Sequence, residues 1–225
     1  MIEAFASEHR VYAADHIYDM GRSIYRRQPR RPDDFVRWLD EVFDELGVHD
    51  VRLVAHSYGG WMAALYAFEF PERLEKLVLV SPQGVLRPAL GRIPRAILYG
   101  TLPRRSITRR YLYWYAPDCV RNDATRPAID EMVEEDLLAR RCFKIKKREI
   151  VRPTVFSDKD WQELAVPSLL LIGRNEVSYS AEQAIQRIAT VAPHITTEVT
   201  DGDHHLTIVN PDWVIEQVLG FLADR

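Results

Sequence analysis

The stretch VRLVAHSYGGWMAALYAFEFPERLEKLVLVSP, residues 51–82, joins an apolar strand pattern to a helical pattern with almost no loop between them. A chain that turns this sharply forces its turn residue into a strained backbone conformation. The positions two before and two after the turn must then be small, and here they are Ala55 and Gly59. The turn residue is Ser57, whose hydroxyl is expected over the amino end of the following helix. Free N–H groups and the helix dipole favour developing negative charge there.

The rest of the chain alternates between strand and helix patterns. Apolar runs predict strands at RVYAAD (10–15), VRLVA (51–55), KLVLV (76–80), VPSLLLIG (166–173) and ITTEV (195–199). Strands of this near-continuous apolar character, separated by helices, favour a mostly parallel sheet that is covered by helices on both faces. The sequence therefore predicts an α/β fold.

Helix boundaries can be predicted from capping residues. Apolar residues at helical spacing indicate a helix across 35–46, with Asp33 or Asp34 as its N-cap and Gly47 as its stop. Further helices are expected from Ser57 to Pro71, around 181–192, and from Asn210-Pro211 onward, where asparagine is the N-cap and proline the first helical residue.

The alternation of strands and helices is interrupted between residues 84 and 160, which contain no clear strand pattern and look helical or irregular. We therefore expect a sheet core formed by residues 1–83 and 161–225, with a helical cap inserted at 84–160. Acidic residues lie among the cap arginines, which favours a solvated helical face over a nucleic-acid surface. A basic lid over an acidic substrate is a less favoured interpretation. YLYWYAP (111–117) could line an apolar pocket or pack a cap helix.

Composition limits the class of protein. The 225 residues are 47% hydrophobic and 28% charged, and the net charge of −3 gives no attraction to nucleic acid or anionic membranes. Cys119 and Cys142 lie far apart without metal-ligand spacing, so we expect reduced thiols and no metal site. The N-terminal residues lack the apolar core of a signal peptide, and no apolar window is long enough to span a bilayer. These features predict a cytoplasmic protein.

The strand, Ser57 and helix of residues 51–69 resemble the nucleophile elbow of the α/β-hydrolase superfamily, G-x-S-x-G, with Ala55 in place of the first glycine. The resemblance extends over most of the chain. GWMAALYAFEFPERLEKLVLVSP is similar to the segment from the elbow helix to the next strand, and FSDKDWQELAVPSLLLIG to the return from the cap. The chain most resembles bacterial carboxylesterase-like members, which carry GxxEV after the cap. This resemblance implies a serine hydrolase.

A serine hydroxyl needs a base to become a good nucleophile, and the chain has 7 histidines. The superfamily places its catalytic histidine in a loop between the last strand and a helix that begins with proline. TDGDHH ahead of Pro211 matches that context, and the resemblance favours His204 over its neighbour His205.

The imidazole in turn needs a carboxylate to fix its tautomer. The resemblance places this acid in a G-x-x-D pattern after the cap, where Gly173 to Glu176 offers a glutamate instead. VSPQG, after the preceding strand, occupies the superfamily's alternative position and contains no acid. Asp201 and Asp203 are fallback candidates. The order Ser57, Glu176, His204 is the one expected for the superfamily.

The resemblance also implies that strands preceding RVYAAD are missing from this chain. The third strand of the superfamily would lie between RVYAA and VRLVA, and its loop would supply one oxyanion N–H. Tyr58, directly after Ser57, can supply the other. We expect RVYAA and VRLVA either to pair directly or to leave a gap. We also expect weak activity and a tendency to form a homodimer.

The sequence therefore predicts a serine hydrolase that cleaves a small carboxylic ester through an acyl-enzyme on Ser57, without a cofactor or metal. Hydrolysis of a thioester, lactone, amide or carbon–carbon bond remains open, because such enzymes share the triad. The alternative class is a catalytically weak hydrolase-like protein, or a shortened gene product, without an intact oxyanion hole.

Overall fold

The computed structural model describes residues 1–17, 28–89, 92–142 and 151–223. Its helices are α1 (Ile2–Ala6), α2 (Pro32–Leu46), α3 (Ser57–Glu69), α4 (Arg92–Thr101), α5 (Arg105–Tyr115), α6 (Pro117–Arg121), α7 (Arg126–Cys142), α8 (Asp158–Gln162), α9 (Ala181–Val191), α10 (Leu206–Val209) and α11 (Pro211–Ala223). Its strands are β1 (Val51–His56), β2 (Leu74–Val80), β3 (Ser168–Gly173) and β4 (Thr196–Thr200).

The strands form a 4-stranded sheet in the order β1-β2-β3-β4. Every neighbouring pair is parallel, with Leu53 opposite Leu77, Leu79 opposite Leu170 and Ile172 opposite Val199. In a parallel sheet the carboxyl ends of all strands lie at the same edge. The loops that follow β1, β2, β3 and β4 therefore meet at one edge, although the chain separates them widely.

Helices cover both faces of the sheet, as the sequence predicts. Side chains alternate along β2, so that Leu77 and Leu79 pack in one apolar cluster with Trp61 of α3. The opposite face presents Val78 and Val80 to a second cluster, which includes Val214, Val218 and Leu222 of α11. Burial on both faces explains why these strands read as continuous apolar runs.

The strand predicted at RVYAAD is wrong. Residues 10–16 form no sheet ladder, and residues 12–15 are exposed. A strand exists only where a neighbour accepts and donates its backbone hydrogen bonds, and among the described residues β1 pairs with β2 alone. Residues 11–14 instead lie beside α2, where they border a cavity of about 580 Å³ that Trp38 and Leu46 also line. The two strands thus do not pair directly.

The start of α2 also differs from the prediction. The helix begins at Pro32, and Arg31 is the N-cap. The carboxylate of Asp34 accepts hydrogen bonds from the backbone N–H groups of Arg30 (2.7 Å) and Arg31 (3.0 Å). Asp34 thus stabilises the helix start from its first turn, where acidic residues are favoured by the dipole. Gly47 ends the helix as predicted, with a left-handed φ of +64°.

Between residues 92 and 142, the segment predicted to be a cap consists of helices α4, α5, α6 and α7 and their short connections. Helices α5, α6 and α7 share an apolar cluster that includes Leu112, Cys119, Ile129 and Val133, separate from the clusters on the sheet. Strands are absent from the described part of 84–160. The exact domain boundaries at 83 and 160 stay predictions.

Two observations bear on membranes and redox state. Within the described ranges, no helix combines the length and apolar character needed to cross a bilayer. Cys119 is buried and Cys142 is exposed, and neither forms a disulfide in the described structure.

Candidate active site

Ser57 occupies the turn between β1 and α3. Its φ of +54° lies in the left-handed region, which few residues other than glycine adopt, so the predicted strain at this turn is confirmed. Of the two glycines that follow Ser57 in α3, Gly60 packs more tightly, because a Cβ atom there would lie 2.8 Å from the Cβ of Pro82. A Cβ on Gly59 would lie 4.0 Å from that of Ala55, which is an ordinary contact. Gly60 is therefore a small residue that the elbow pattern did not single out.

His204 lies in the loop between β4 and α10. The chain turns there at Gly202, whose φ is +145°, and His204 is 1% exposed. Its Nε2 atom is 2.7 Å from the Oγ atom of Ser57. When the ring proton is on Nδ1, the serine hydroxyl donates to Nε2, which is the arrangement needed for a base to take the hydroxyl proton.

Glu176 lies in the turn after β3. Its Oε2 and Oε1 atoms are 2.8 Å and 3.0 Å from Nδ1 of His204, and the backbone N–H of Ser178 donates to Oε1 at 2.7 Å. Burial raises the pKa of this carboxyl, but the attraction of His204 and the hydrogen bonds from His204 and Ser178 outweigh it and lower the pKa. An ionised Glu176 holds the ring proton of His204 on Nδ1.

The loops that carry Glu176 and His204 touch through two glycines. A Cβ on Gly173 would overlap the carbonyl oxygen of Gly202 and lie 2.7 Å from that of Asp203. The backbone N–H of Asn175 donates to the carbonyl of Gly202 at 3.0 Å. The absence of a side chain at Gly173 therefore allows the acid and the imidazole to meet.

A sequence model described as the alpha/beta hydrolase family matches residues 1–217. The chain belongs to the α/β-hydrolase family. The resemblance seen in the sequence is thus confirmed, and so is the predicted fold class.

The α/β-hydrolase relatives include carboxylesterases of Bacillus subtilis (strain 168). Carboxylesterase YbfK is 28% identical, and the match covers 99% of this chain and 74% of that protein. Its crystal structure superposes with a TM-score of 0.84 over 99% of this chain and 77% of that one, at 26% identity. The crystal structure of a naproxen esterase from Bacillus subtilis gives a TM-score of 0.86 at 26% identity, over 98% of this chain and 76% of that one.

The fallback acids have other partners in this α/β-hydrolase. Asp201 lies in an exposed ion pair with Arg174. Asp203 is buried, and its carboxylate accepts backbone N–H groups of Asp118 (2.8 Å) and Cys119 (3.2 Å) at the start of α6. Asp203 thus links the His204 loop to the helical segment and does not contact the imidazole ring through a hydrogen bond in the described structure.

His205, the competing histidine, is buried beside His204, with their ring centroids 5.4 Å apart. Burial and the proximity of His204 and His56 lower its pKa to about 3, so the ring stays neutral. The structure thus brings together Ser57, His204 and Glu176, the three residues favoured by the sequence. Among the described residues, no cluster of histidine, cysteine and acidic side chains is arranged to hold a metal ion.

Tyr58, the predicted oxyanion donor, is the second residue of α3. N–H groups in the first turn of a helix have no intrahelical acceptor, so this position suits an anion. Its phenol donates to the carbonyl of Val151 at 2.8 Å, which anchors the first turn of α3.

Sequence reasoning missed Ser178 and Tyr115. The Oγ atom of Ser178 is 3.3 Å from Nδ1 of His204 and 2.6 Å from the phenol oxygen of Tyr115, at the end of α5. The Tyr115 ring contacts the His204 ring edge-on, with centroids 4.6 Å apart. The YLYWYAP motif could have indicated this contact, because its apolar-pocket interpretation places one of these aromatic rings near the site.

Gln83 and His56 were also missed. The side-chain amide of Gln83 donates to Oγ of Ser57 at 3.3 Å, and its backbone N–H donates to the carbonyl of Ser57 at 3.0 Å. Gln83 belongs to the VSPQG loop after β2, which the sequence analysis considered only as an alternative position for the acid. His56 lies 2.9 Å from the carbonyl of His204 through Nε2. Burial, followed by the proximity of His204, lowers the pKa of His56 to about 4, so a neutral ring donates this bond.

Proposed function

We propose that the protein is a serine carboxylesterase that acts on small carboxylic esters. The hydrogen-bond chain from Ser57 Oγ through His204 to the buried Glu176 is the observation that carries this proposal. Ser57 attacks the acyl carbon and transfers its proton to Nε2 of His204. The imidazolium, stabilised by Glu176, then gives that proton to the departing alkoxide, which leaves an acyl-enzyme on Ser57.

Water completes the reaction. His204 takes a proton from a water molecule, hydroxide attacks the acyl carbon, and Ser57 regains its proton as the carboxylic acid leaves. In both the formation and the hydrolysis of the acyl-enzyme, the carbonyl oxygen of the acyl group becomes negatively charged. The N–H of Tyr58 supplies one hydrogen bond to that oxygen, at the positive end of the α3 dipole. Gln83 holds the Ser57 hydroxyl from the side of β2.

The choice of ester bonds is supported by relatives that match nearly the whole chain. Two Bacillus subtilis proteins at 28% and 27% identity are named carboxylesterases. A putative carbamate hydrolase of Azorhizobium caulinodans is 27% identical over 99% of this chain. Structures of meta-cleavage product hydrolases, which are 20% identical, share the fold and give no preference for carbon–carbon bonds.

The proposal is tested by labelling with a fluorophosphonate and locating the adduct by mass spectrometry, together with assays on p-nitrophenyl acetate and butyrate. We expect one adduct, on Ser57, and a loss of about 10⁴-fold or more in kcat for Ser57→Ala. An adduct on another residue, or undiminished hydrolysis by Ser57→Ala, would overturn the assignment. A folded protein that neither labels nor hydrolyses any ester would support the alternative of a hydrolase-like protein without catalytic power.

We also propose a cytoplasmic location. The exposed thiol of Cys142 and the buried thiol of Cys119 are both unpaired, which is the usual state of cysteines in a reducing compartment. Fractionation of cells that express the native gene, followed by immunoblotting, would test this location.

A further inference from the structure

The segment 92–110, which comprises α4, the start of α5 and their connection, is strongly basic. It contains Arg92, Arg95, Arg104, Arg105, Arg109 and Arg110 but no acidic residue. Two of these cations are partly balanced by α7, since Arg105 pairs with Glu134 at 2.6 Å and Arg109 lies 3.6 Å from Asp130. Arg110, which borders the cavity described next, has no ion pair of this kind with α7 in the described structure.

A cavity of about 440 Å³ lies between α4 and α5. It is lined by Arg95, Leu98, Ile107, Arg110, Tyr111 and Trp114. The guanidinium of Arg95 lies over the Trp114 ring, 4.9 Å from its centroid. The cavity therefore has apolar and aromatic walls with two cations, and its volume is in the range of small-molecule sites. Such a lining matches a ligand with an apolar body and an anionic end.

Two aromatic rings, those of Tyr111 and Tyr115, lie between the cavity and His204. Tyr111, which lines the cavity, stacks on Tyr115 with the ring centroids 5.7 Å apart. Tyr115 also contacts His204 edge-on, and the guanidinium of Arg92 lies 5.5 Å from the centroid of the Tyr115 ring. These two rings connect the cavity wall to the candidate triad.

We propose that this cavity selects esters whose acyl chain ends in a carboxylate. This inference rests on the proposed esterase function and names its substrate class. Guanidinium groups bind carboxylates in a planar, two-bond geometry, and the exposed Arg110 is placed to do so at the cavity. Leu98, Ile107 and Trp114 cover the methylene groups of the chain. The aromatic YLYWYAP segment thus serves as pocket wall, and the arginines as receptor for the distal carboxylate.

Two esters of equal acyl length separate this selectivity from esterase activity. The substrates are mono-p-nitrophenyl suberate, which is anionic, and p-nitrophenyl octanoate, which is neutral. We expect Arg110→Glu to lower the ratio of kcat/KM for suberate over octanoate by about 10-fold, the effect of one charge-assisted hydrogen bond. The control Arg126→Glu makes the same charge change on α7, where Arg126 pairs with Asp123 at 2.7 Å, and should keep the wild-type ratio.

A binding measurement gives an independent readout. Titration calorimetry with octanedioate should detect binding to wild type and weaker binding, by about 10-fold, to Arg110→Glu. An unchanged selectivity ratio in Arg110→Glu, or an equal fall in Arg126→Glu, would overturn the inference while leaving the esterase intact. Failure of both esters to react would instead refute the proposed function, and the calorimetry would still test the cavity. Binding to phosphatidylglycerol vesicles without binding to octanedioate would also overturn the inference, since the site would then serve a lipid surface.

Discussion

Tyr115 is the residue through which the helical segment reaches the candidate triad. Its phenol lies 2.6 Å from Ser178, and Ser178 in turn contacts both His204 and Glu176. Burial raises the pKa of the Tyr115 phenol, so the hydroxyl keeps its proton and can donate. We therefore expect Tyr115 and Ser178 to be positioning residues, which affect the reaction through the orientation of His204.

We expect Tyr115→Phe and Ser178→Ala each to lower kcat by several-fold with little change in KM. Each change leaves a buried polar partner unsatisfied, which costs about 1–3 kcal/mol. Because the two hydroxyls bond to each other, the double variant should lose less than the sum of the single losses. Tyr113→Phe is the matched control on α5, since its phenol bonds Asp130 away from the triad. Strict additivity of the two changes would show that the bond does not couple them.

The two buried acids Glu176 and Asp203 are expected to differ in their effect on catalysis. We expect Glu176→Gln to lower kcat by about 10³- to 10⁴-fold, because the amide no longer stabilises the imidazolium. Asp203→Asn should lower the thermal midpoint, because Asp203 accepts N–H groups at the start of α6, and should leave most of kcat in the folded fraction. Assays on p-nitrophenyl butyrate with parallel thermal melts distinguish the two. The opposite pattern of activities would assign the acid to Asp203.

At the scale of elements, the site depends on the close contact between the end of β3 and the loop after β4. Gly173 and Gly202 meet backbone to backbone, and the hydrogen bond from Asn175 to Gly202 closes the contact. Glu176 and His204 are each a few residues from this contact, so their separation follows from it.

We therefore expect Gly173→Ala to separate the two loops and to lower both kcat and the free energy of unfolding, the latter by about 1–3 kcal/mol. The matched control is Gly220→Ala in α11, where an added Cβ meets no atom within 4 Å. Alanine there should keep full activity and raise stability slightly, because glycine is a poor helix former. Wild-type kcat in Gly173→Ala would show that the loops can shift without affecting the site.

For the whole molecule, two buried neutral histidines predict a loss of stability in mild acid. Burial lowers the pKa of His56 to about 4 and that of His205 to about 3, against an ordinary value of 6.5. Both lie against His204, and Glu176 is the nearby acid. Below pH 6.5 the unfolded chain binds protons that the folded protein cannot, so stability is complete above pH 6.5 and falls as the pH drops toward these values. At about 1.4 kcal/mol per pKa unit, the loss by pH 4 is several kcal/mol.

Urea unfolding between pH 7 and pH 4.5 measures this loss before carboxylates contribute strongly. The stability of His205→Gln should depend less steeply on pH than that of the wild type. The exposed His49→Gln serves as the control and should follow the wild-type curve. Identical pH slopes in all three proteins would contradict the prediction.

The outer strand of the sheet, β1, leads us to predict that the protein self-associates. Within the described residues β1 is an edge strand, and a cavity beside α2 is bordered by Tyr12, which is 46% exposed. Unpaired edge strands recruit other chains, and two copies can pair their edges by symmetry. We expect light scattering to show a dimer that Tyr12→Asp weakens and that Leu138→Asp, a similarly exposed site on α7, does not. A monomer at all concentrations would refute this.

Much of the fold and of the candidate site could be predicted from the sequence, because the signals are local. The apolar runs of β1 to β4 reflect burial on both faces of the sheet, and the strained turn at Ser57 follows from a strand that runs directly into a helix. The resemblance to the α/β-hydrolase superfamily, which places its base and its acid in loops after strands, indicated His204 and Glu176. Parallel strands bring such loops to one edge of the sheet, so the meeting of these residues could also be predicted.

Features that depend on contacts between residues far apart in the sequence became visible only in the tertiary structure. RVYAAD has the composition of a strand but no neighbour to complete its hydrogen bonds, which no local pattern reveals. Gly60 must be small because of Pro82, and Gly173 because of Gly202. The contacts of Gln83, Ser178 and Tyr115 arise because separate loops and α5 converge on Ser57 and His204. Hydrogen bonds of this kind join residues far apart in the chain, and only the packed fold brings their donors and acceptors within reach.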